Sequence, residues 1–149
     1  MNIHYLHDTY GYARTARFDE PLLIRVVKAM MICAGADGLS PAELEYSLAV
    51  AICYGASPEA LEELRRFDFE HAKLEDYLKN DDRVPKRALL YDAIRVSHAD
   101  GVYAEAERAA VRDAADLLGI DEPSVIALEG MVELEAALRK ARVRLIHQG

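Results

Sequence analysis

Cysteine is scarce in this chain: Cys33 and Cys53 are the only two in 149 residues. That is too few for a disulfide framework or a Cys-based zinc site. Tryptophan is absent and threonine is confined to Thr9 and Thr15, against 24 Ala and 18 Leu. Such a mix favours helix over strand. No apolar run approaches the roughly 20 residues of a membrane span. The opening Met1-Asn2-Ile3-His4-Tyr5-Leu6-His7-Asp8 lacks the basic start and apolar core of a signal peptide. A cytoplasmic location is therefore expected. Basic residues are in deficit, 18 Lys+Arg against 26 Asp+Glu, for a net charge of −8. This balance argues against a nucleic-acid partner, whose phosphates need a basic face.

Catalytic signatures are missing as well. The chain has no Gly-x-Gly-x-x-Gly, P-loop, His-Glu-x-x-His or Gly-x-Ser-x-Gly, which leaves no motif for nucleotide, metalloprotease or nucleophile-elbow chemistry. It also has no Glu-x-x-His, against a ferritin-like di-iron centre. What is present is the composition of a globular protein, 52% hydrophobic and 30% charged, long enough to fold as one domain over 1–149 without disulfides.

The hydrophobic pattern repeats at helical spacing almost throughout. Asp19 caps a helix with Pro21 in its first turn and Leu22, Leu23, Val26, Val27, Met30, Met31 and Ala34 on one face. Ser40-Pro41-Ala42-Glu43 is a capping box that opens a second helix, stopped at Gly55. Ser57-Pro58 opens a third, to about Arg66, and residues 70–79 read as a fourth. Asn80-Asp81-Asp82-Arg83 reads as a linker. Further helices are expected over about 85–98, 104–118 and 121–146. Residues 1–18 admit either a short helix or a packed arm. No segment alternates with period two. The prediction is an all-α bundle of about seven helices.

Self-comparison shows a repeat of about 20–56 on 85–120. Ala36-Asp37-Gly38 matches Ala99-Asp100-Gly101; after one inserted residue, Glu43 aligns with Glu107 and Gly55 with Gly119. Each half reads helix, Ala-Asp-Gly turn, helix, glycine stop. As plain structure, glycine supplies positive φ, Asp bonds the turn backbone and Glu completes a capping box. Two copies packed about a two-fold axis would instead bring Asp37, Glu43, Asp100 and Glu107 together, a cluster that repels itself unless it binds a cation. An EF-hand is excluded, since Val96 would fall at its first ligand position.

The segments ICAGADGLSPAELEYSLAVA and IRVSHADGVYAEAERAAVRDAADLLGI resemble the tellurite-resistance TerB family of small helical proteins. The first copy has one residue fewer before Ser40-Pro41 than the family pattern. The resemblance spans about residues 20–125 and implies an all-helical bundle of two related halves whose acidic residues hold a divalent metal. Mapped onto this chain, the ligands are Asp37, Glu43, Asp100 and Glu107. All-oxygen ligation favours calcium or magnesium, and His98 would add a nitrogen and allow zinc. The implied role is a non-enzymatic module in a stress or metal-resistance response, acting through partner proteins, with any membrane association made through those partners. A homodimer is compatible with this reading. The alternative is a metal-free interaction scaffold whose acids only cap helices and whose basic cluster Arg139, Lys140, Arg142 and Arg144 docks a partner.

Two further features have ordinary readings. His4 and His7 stand three apart but are expected on a surface arm. Cys33 and Cys53 are expected as buried small hydrophobes.

Overall fold

A computed structural model describes residues 1–78 and 81–148. Eight α-helices follow one another: α1 (Ile3–Tyr10), α2 (Glu20–Ala34), α3 (Pro41–Tyr54), α4 (Pro58–Arg65), α5 (Leu74–Tyr77), α6 (Lys86–Ser97), α7 (Glu105–Leu118) and α8 (Glu122–His147). No strand occurs among the described residues. Four helices start the same way. Asp19, Ser40, Ser57 and Asp121 each accept a backbone N–H three residues on, and a proline follows in the first turn. Each such cap contributes about 1 kcal/mol. Glycine ends two helices: Gly55 (φ 98°) and Gly119 (φ 69°) reverse α3 and α7 in the left-handed region. Ala56 N–H then bonds Ala51 C=O, and Ile120 N–H bonds Ala115 C=O.

Helix α2 is the axis of the bundle. Val27, Ala29, Met30, Met31, Cys33 and Ala34 are all buried, and α3, α5, α6 and α7 pack around it. Its most extensive partner is α6, which buries Leu89, Leu90, Ala93, Ile94 and Val96. Ala29 and Ala93 are fully buried small side chains among the larger ones of these two helices.

Two expectations change. Residues 1–18 are helix and packed arm together. Asn2 Oδ1 caps α1, Gly11 ends it, and Leu6 is fully buried. The fourth helix shrinks from 70–79 to the single turn of α5. Asp68 Oδ1 accepts the His71 N–H in a turn of its own, and Phe69 lies against Gly35, where a Cβ would approach its ring to 2.5 Å. Asn80 of the expected linker lies outside the described residues. Asp81 at its other end is an anchor, paired with Arg25 at 2.7 Å and Arg83 at 2.8 Å.

Candidate metal site at the helix starts

Two glutamates are drawn into the interior by the way their helices begin. In α3, Ser40 Oγ accepts Glu43 N–H at 3.2 Å, and Glu43 Oε2 accepts Ser40 N–H at 2.7 Å. In α7 the residue in the place of Ser40 is Ala104, which has no hydroxyl, so only the return bond forms: Glu107 Oε2 accepts Ala104 N–H at 2.7 Å. Each carboxylate is thereby held over a helix N-terminus, whose partial positive charge favours it. Both are buried, each 1% exposed.

The two carboxyl groups meet. Burial is the main cause that raises the Glu107 pKa to about 8; the Ala104 N–H opposes it, and the neighbouring Glu43 and the charge of Asp37 add to it. Two carboxylates at one place cannot both ionise freely, so the pair retains a proton at neutral pH. Glu43 Oε1 is buried without a hydrogen-bond partner. A proton on Glu107, a cation or an ordered water would satisfy it.

The two aspartates behave differently from the glutamates. Asp37 ends a 3-10 turn over Gly35–Asp37 that packs against α7; the aspartate is exposed, and its charge acts on Glu107. Asp100 is exposed and accepts Val102 N–H at 2.9 Å, closing its own turn. Gly38 (φ 105°) and Gly101 (φ 88°) reverse the chain at the two turns. The structure thus brings Glu43 and Glu107 together with Asp37 beside them, whereas Asp100 serves its turn. Among the described residues no three His, Cys, Asp or Glu side chains stand in a ready-made metal cluster.

His98 follows the end of α6 and stacks on Tyr103, with ring centroids 4.6 Å apart. Its Nε2 is buried without a partner. Burial pushes its pKa down, and the charges acting most strongly on it are Glu133, Arg108, Glu129 and Asp100. His7 donates its Nδ1–H to Tyr12 C=O at 2.8 Å. Both cysteines are free, and burial lifts the Cys33 thiol to about 12.

A crystal structure of a tellurite resistance protein from Nostoc punctiforme matches this fold with a TM-score of 0.84 and 30% sequence identity, over 99% of this chain and 92% of that one. This chain belongs to the TerB-like tellurite resistance family. No protein-family model and no curated protein matches the sequence.

A second polar centre of this TerB-like protein escapes sequence reading. Asp92 sits buried on α6 between Leu90 and Ala93, where it accepts the Tyr10 hydroxyl and pairs with Arg95 at 3.5 Å. Arg95 also donates to Tyr10 Oη at 3.0 Å. Beside it a cavity of about 390 Å³ opens between the N-terminal arm, α2 and α3, lined by Phe18, Leu22, Val26, Met30 and Tyr54. A lone acid within the apolar run Leu89-Leu90-Tyr91-Asp92-Ala93-Ile94 was the signal for it. No helix among the described residues is long and apolar enough to cross a membrane.

Proposed function

We propose that this protein is a non-enzymatic helical module that binds one divalent cation at Glu43 and Glu107, with Asp37 and Asp100 as the adjoining acids of their turns. It acts in tellurite or general stress resistance, in the cytoplasm, through partner proteins. The observation that supports this most is the unsatisfied Glu43 Oε1, buried beside a second carboxyl group. A hard cation suits an all-oxygen set, and calcium or magnesium would complete its shell with water. Zinc would need nitrogen or sulfur, and His98 is the one nitrogen donor next to these turns. We read the Ala-Asp-Gly segments as repeats that supply one glutamate each. The name of the Nostoc punctiforme protein supports the resistance role.

Cation binding is expected to raise the melting temperature by roughly 4 °C at ten times Kd, from about 1.4 kcal/mol of linkage. It also releases a proton at pH 7, because the cation replaces the one the pair holds. Calorimetry in two buffers of different ionisation enthalpy measures that proton. Glu43→Gln with Glu107→Gln is expected to abolish both effects. Asp37→Ala with Asp100→Ala weakens them. If calcium, magnesium and zinc all leave the wild-type melting temperature unchanged after chelator treatment, the metal assignment fails.

A second reading, a metal-free scaffold, draws on the fact that Glu43, Glu107 and Asp100 all make local caps. It expects no metal response, and loss of partner capture when Arg139, Lys140 and Arg142 are neutralised.

A further inference from the structure

Helix α8 outruns the bundle it belongs to. Val132 is its last buried residue, and every position from 133 to 148 is exposed. Residues 133–147 extend about 22 Å at 1.5 Å per residue. A helix of that length without tertiary packing is marginal in water. Its surface is not uniformly polar. Met131, Leu134, Leu138, Ala141 and Leu145 recur at intervals of 3, 4, 3 and 4, the spacing of a coiled-coil seam. The four larger ones are between 52% and 81% exposed. Val143 and Ile146 are also exposed and lie off this seam.

Charge is segregated along the same stretch. Glu133 and Glu135 come first; Arg139, Lys140, Arg142 and Arg144 follow. A parallel pair of such helices would set four cations against four. An antiparallel pair sets the basic half of each against the acidic half of the other.

We propose that residues 131–148 of α8 pair antiparallel with the same residues of a second copy of this chain. With Leu138 facing Ala141 of the second copy, Leu134 faces Leu145. The large residue meets the small one at the centre, as interdigitated packing requires. In this register Glu135 and Arg142 flank the seam on one side and face each other twice by symmetry. Glu135 is already positioned, since one of its oxygens accepts the Tyr91 hydroxyl from α6. The dimer is independent of the metal proposal, because it uses none of Asp37, Glu43, Asp100 or Glu107.

Sedimentation of the full chain over a concentration series at low salt tests this. The expected result is a reversible dimer of about 33 kDa, twice the 16.6 kDa chain, which weakens as salt rises. Leu134→Lys with Leu138→Lys replaces exposed side chains, so the bundle keeps its melting transition while the dimer is lost. Glu135→Arg and Arg142→Glu each weaken dimerisation at least tenfold, and the two together restore it. A cooperative thermal melt followed by circular dichroism on each variant checks that the bundle remains folded. A wild-type chain that stays monomeric at high concentration overturns the proposal. So does a dimer that survives the two lysines, or a double charge swap that fails to restore pairing in a folded variant. A monomer that binds anionic phospholipid vesicles through the same seam also overturns it, in favour of a membrane surface.

Discussion

Asp92→Ala is expected to cost about 3–5 kcal/mol of folding stability, the usual loss when one partner of a buried ion pair is removed. For a chain of this size that lowers the melting temperature by roughly 10 °C. The substitution strands Arg95, whose guanidinium lies over the rings of Tyr46 and Tyr91 at 5.5 Å each and donates to Tyr10. It also removes the acceptor of the Tyr10 hydroxyl, which comes from the far end of the sequence. Asp92→Asn keeps an acceptor and the volume, so it should cost less than half as much. Adding Arg95→Met to Asp92→Ala should recover part of the loss, and urea titration of wild type, Asp92→Ala, Arg95→Met and the double variant measures the coupling. A loss below 1 kcal/mol for Asp92→Ala would show that this network is dispensable. The same carboxyl group has its own pH signature. Burial raises its pKa to about 6, against the hydrogen bonds from Tyr10 and Tyr54 and the charge of Arg95. The folded state therefore holds the proton longer than the unfolded chain, and this contribution falls away between about pH 4 and pH 6.

Glu107→Gln is expected to flatten the pH dependence of stability in metal-free protein. The folded-state pKa of about 8 lies above the ordinary value of 4.5. Protonation therefore stabilises the fold, fully at pH below 4.5, and the benefit is lost as pH rises towards and through 8. Between pH 5 and 8.5 the wild type should lose about 4 kcal/mol through this group, or roughly 8–15 °C in melting temperature. Glutamine carries the neutral form's hydrogen-bonding capacity at every pH, so the variant should be the more stable protein at pH 8.5. Saturating calcium or magnesium at pH 8.5 should rescue the wild type but leave the variant unmoved. His98 titrates in the opposite sense, its lowered pKa making stability rise towards pH 6.5, so the comparison between the two proteins isolates Glu107. Parallel curves for wild type and variant would mean that the two glutamates do not share a proton.

The elements that sequence reading located are those whose causes are local. Asp19, Ser40, Ser57 and Asp121 cap helices because a polar side chain followed by proline suits a helix start whatever the surroundings. The Ala-Asp-Gly turns are equally local, resting on Gly38 and Gly101 at positive φ. The burial of Glu43 and Glu107 is a tertiary fact. A first-turn glutamate is ordinarily at the surface, and only the packing of the bundle around the starts of α3 and α7 hides these two. Asp100 shows the converse: a residue matched by alignment to Asp37 is occupied with closing its own turn. Residues 70–73 followed a helical apolar spacing yet stay irregular, because Asp68 and His71 form a local turn and Phe69 is committed to Gly35. Asp92 stood in plain view as an acid in an apolar helix. Its partner Tyr10 lies 82 residues away, beyond any local pattern.

That separation bears on how the chain is made. At 5–20 residues per second, about 4–16 s pass between synthesis of Tyr10 and synthesis of Asp92. Until then the N-terminal arm has only α3 to pack on, through the Asn2 N–H bond to Cys53 C=O and the ring of Tyr54, and the Tyr10 hydroxyl lacks its carboxylate acceptor. The arm is thus made well before α6, and is fully fixed only once α6 has joined it. Chaperone capture of the growing chain should accordingly concentrate on its first 18 residues and fall off once α6 has emerged.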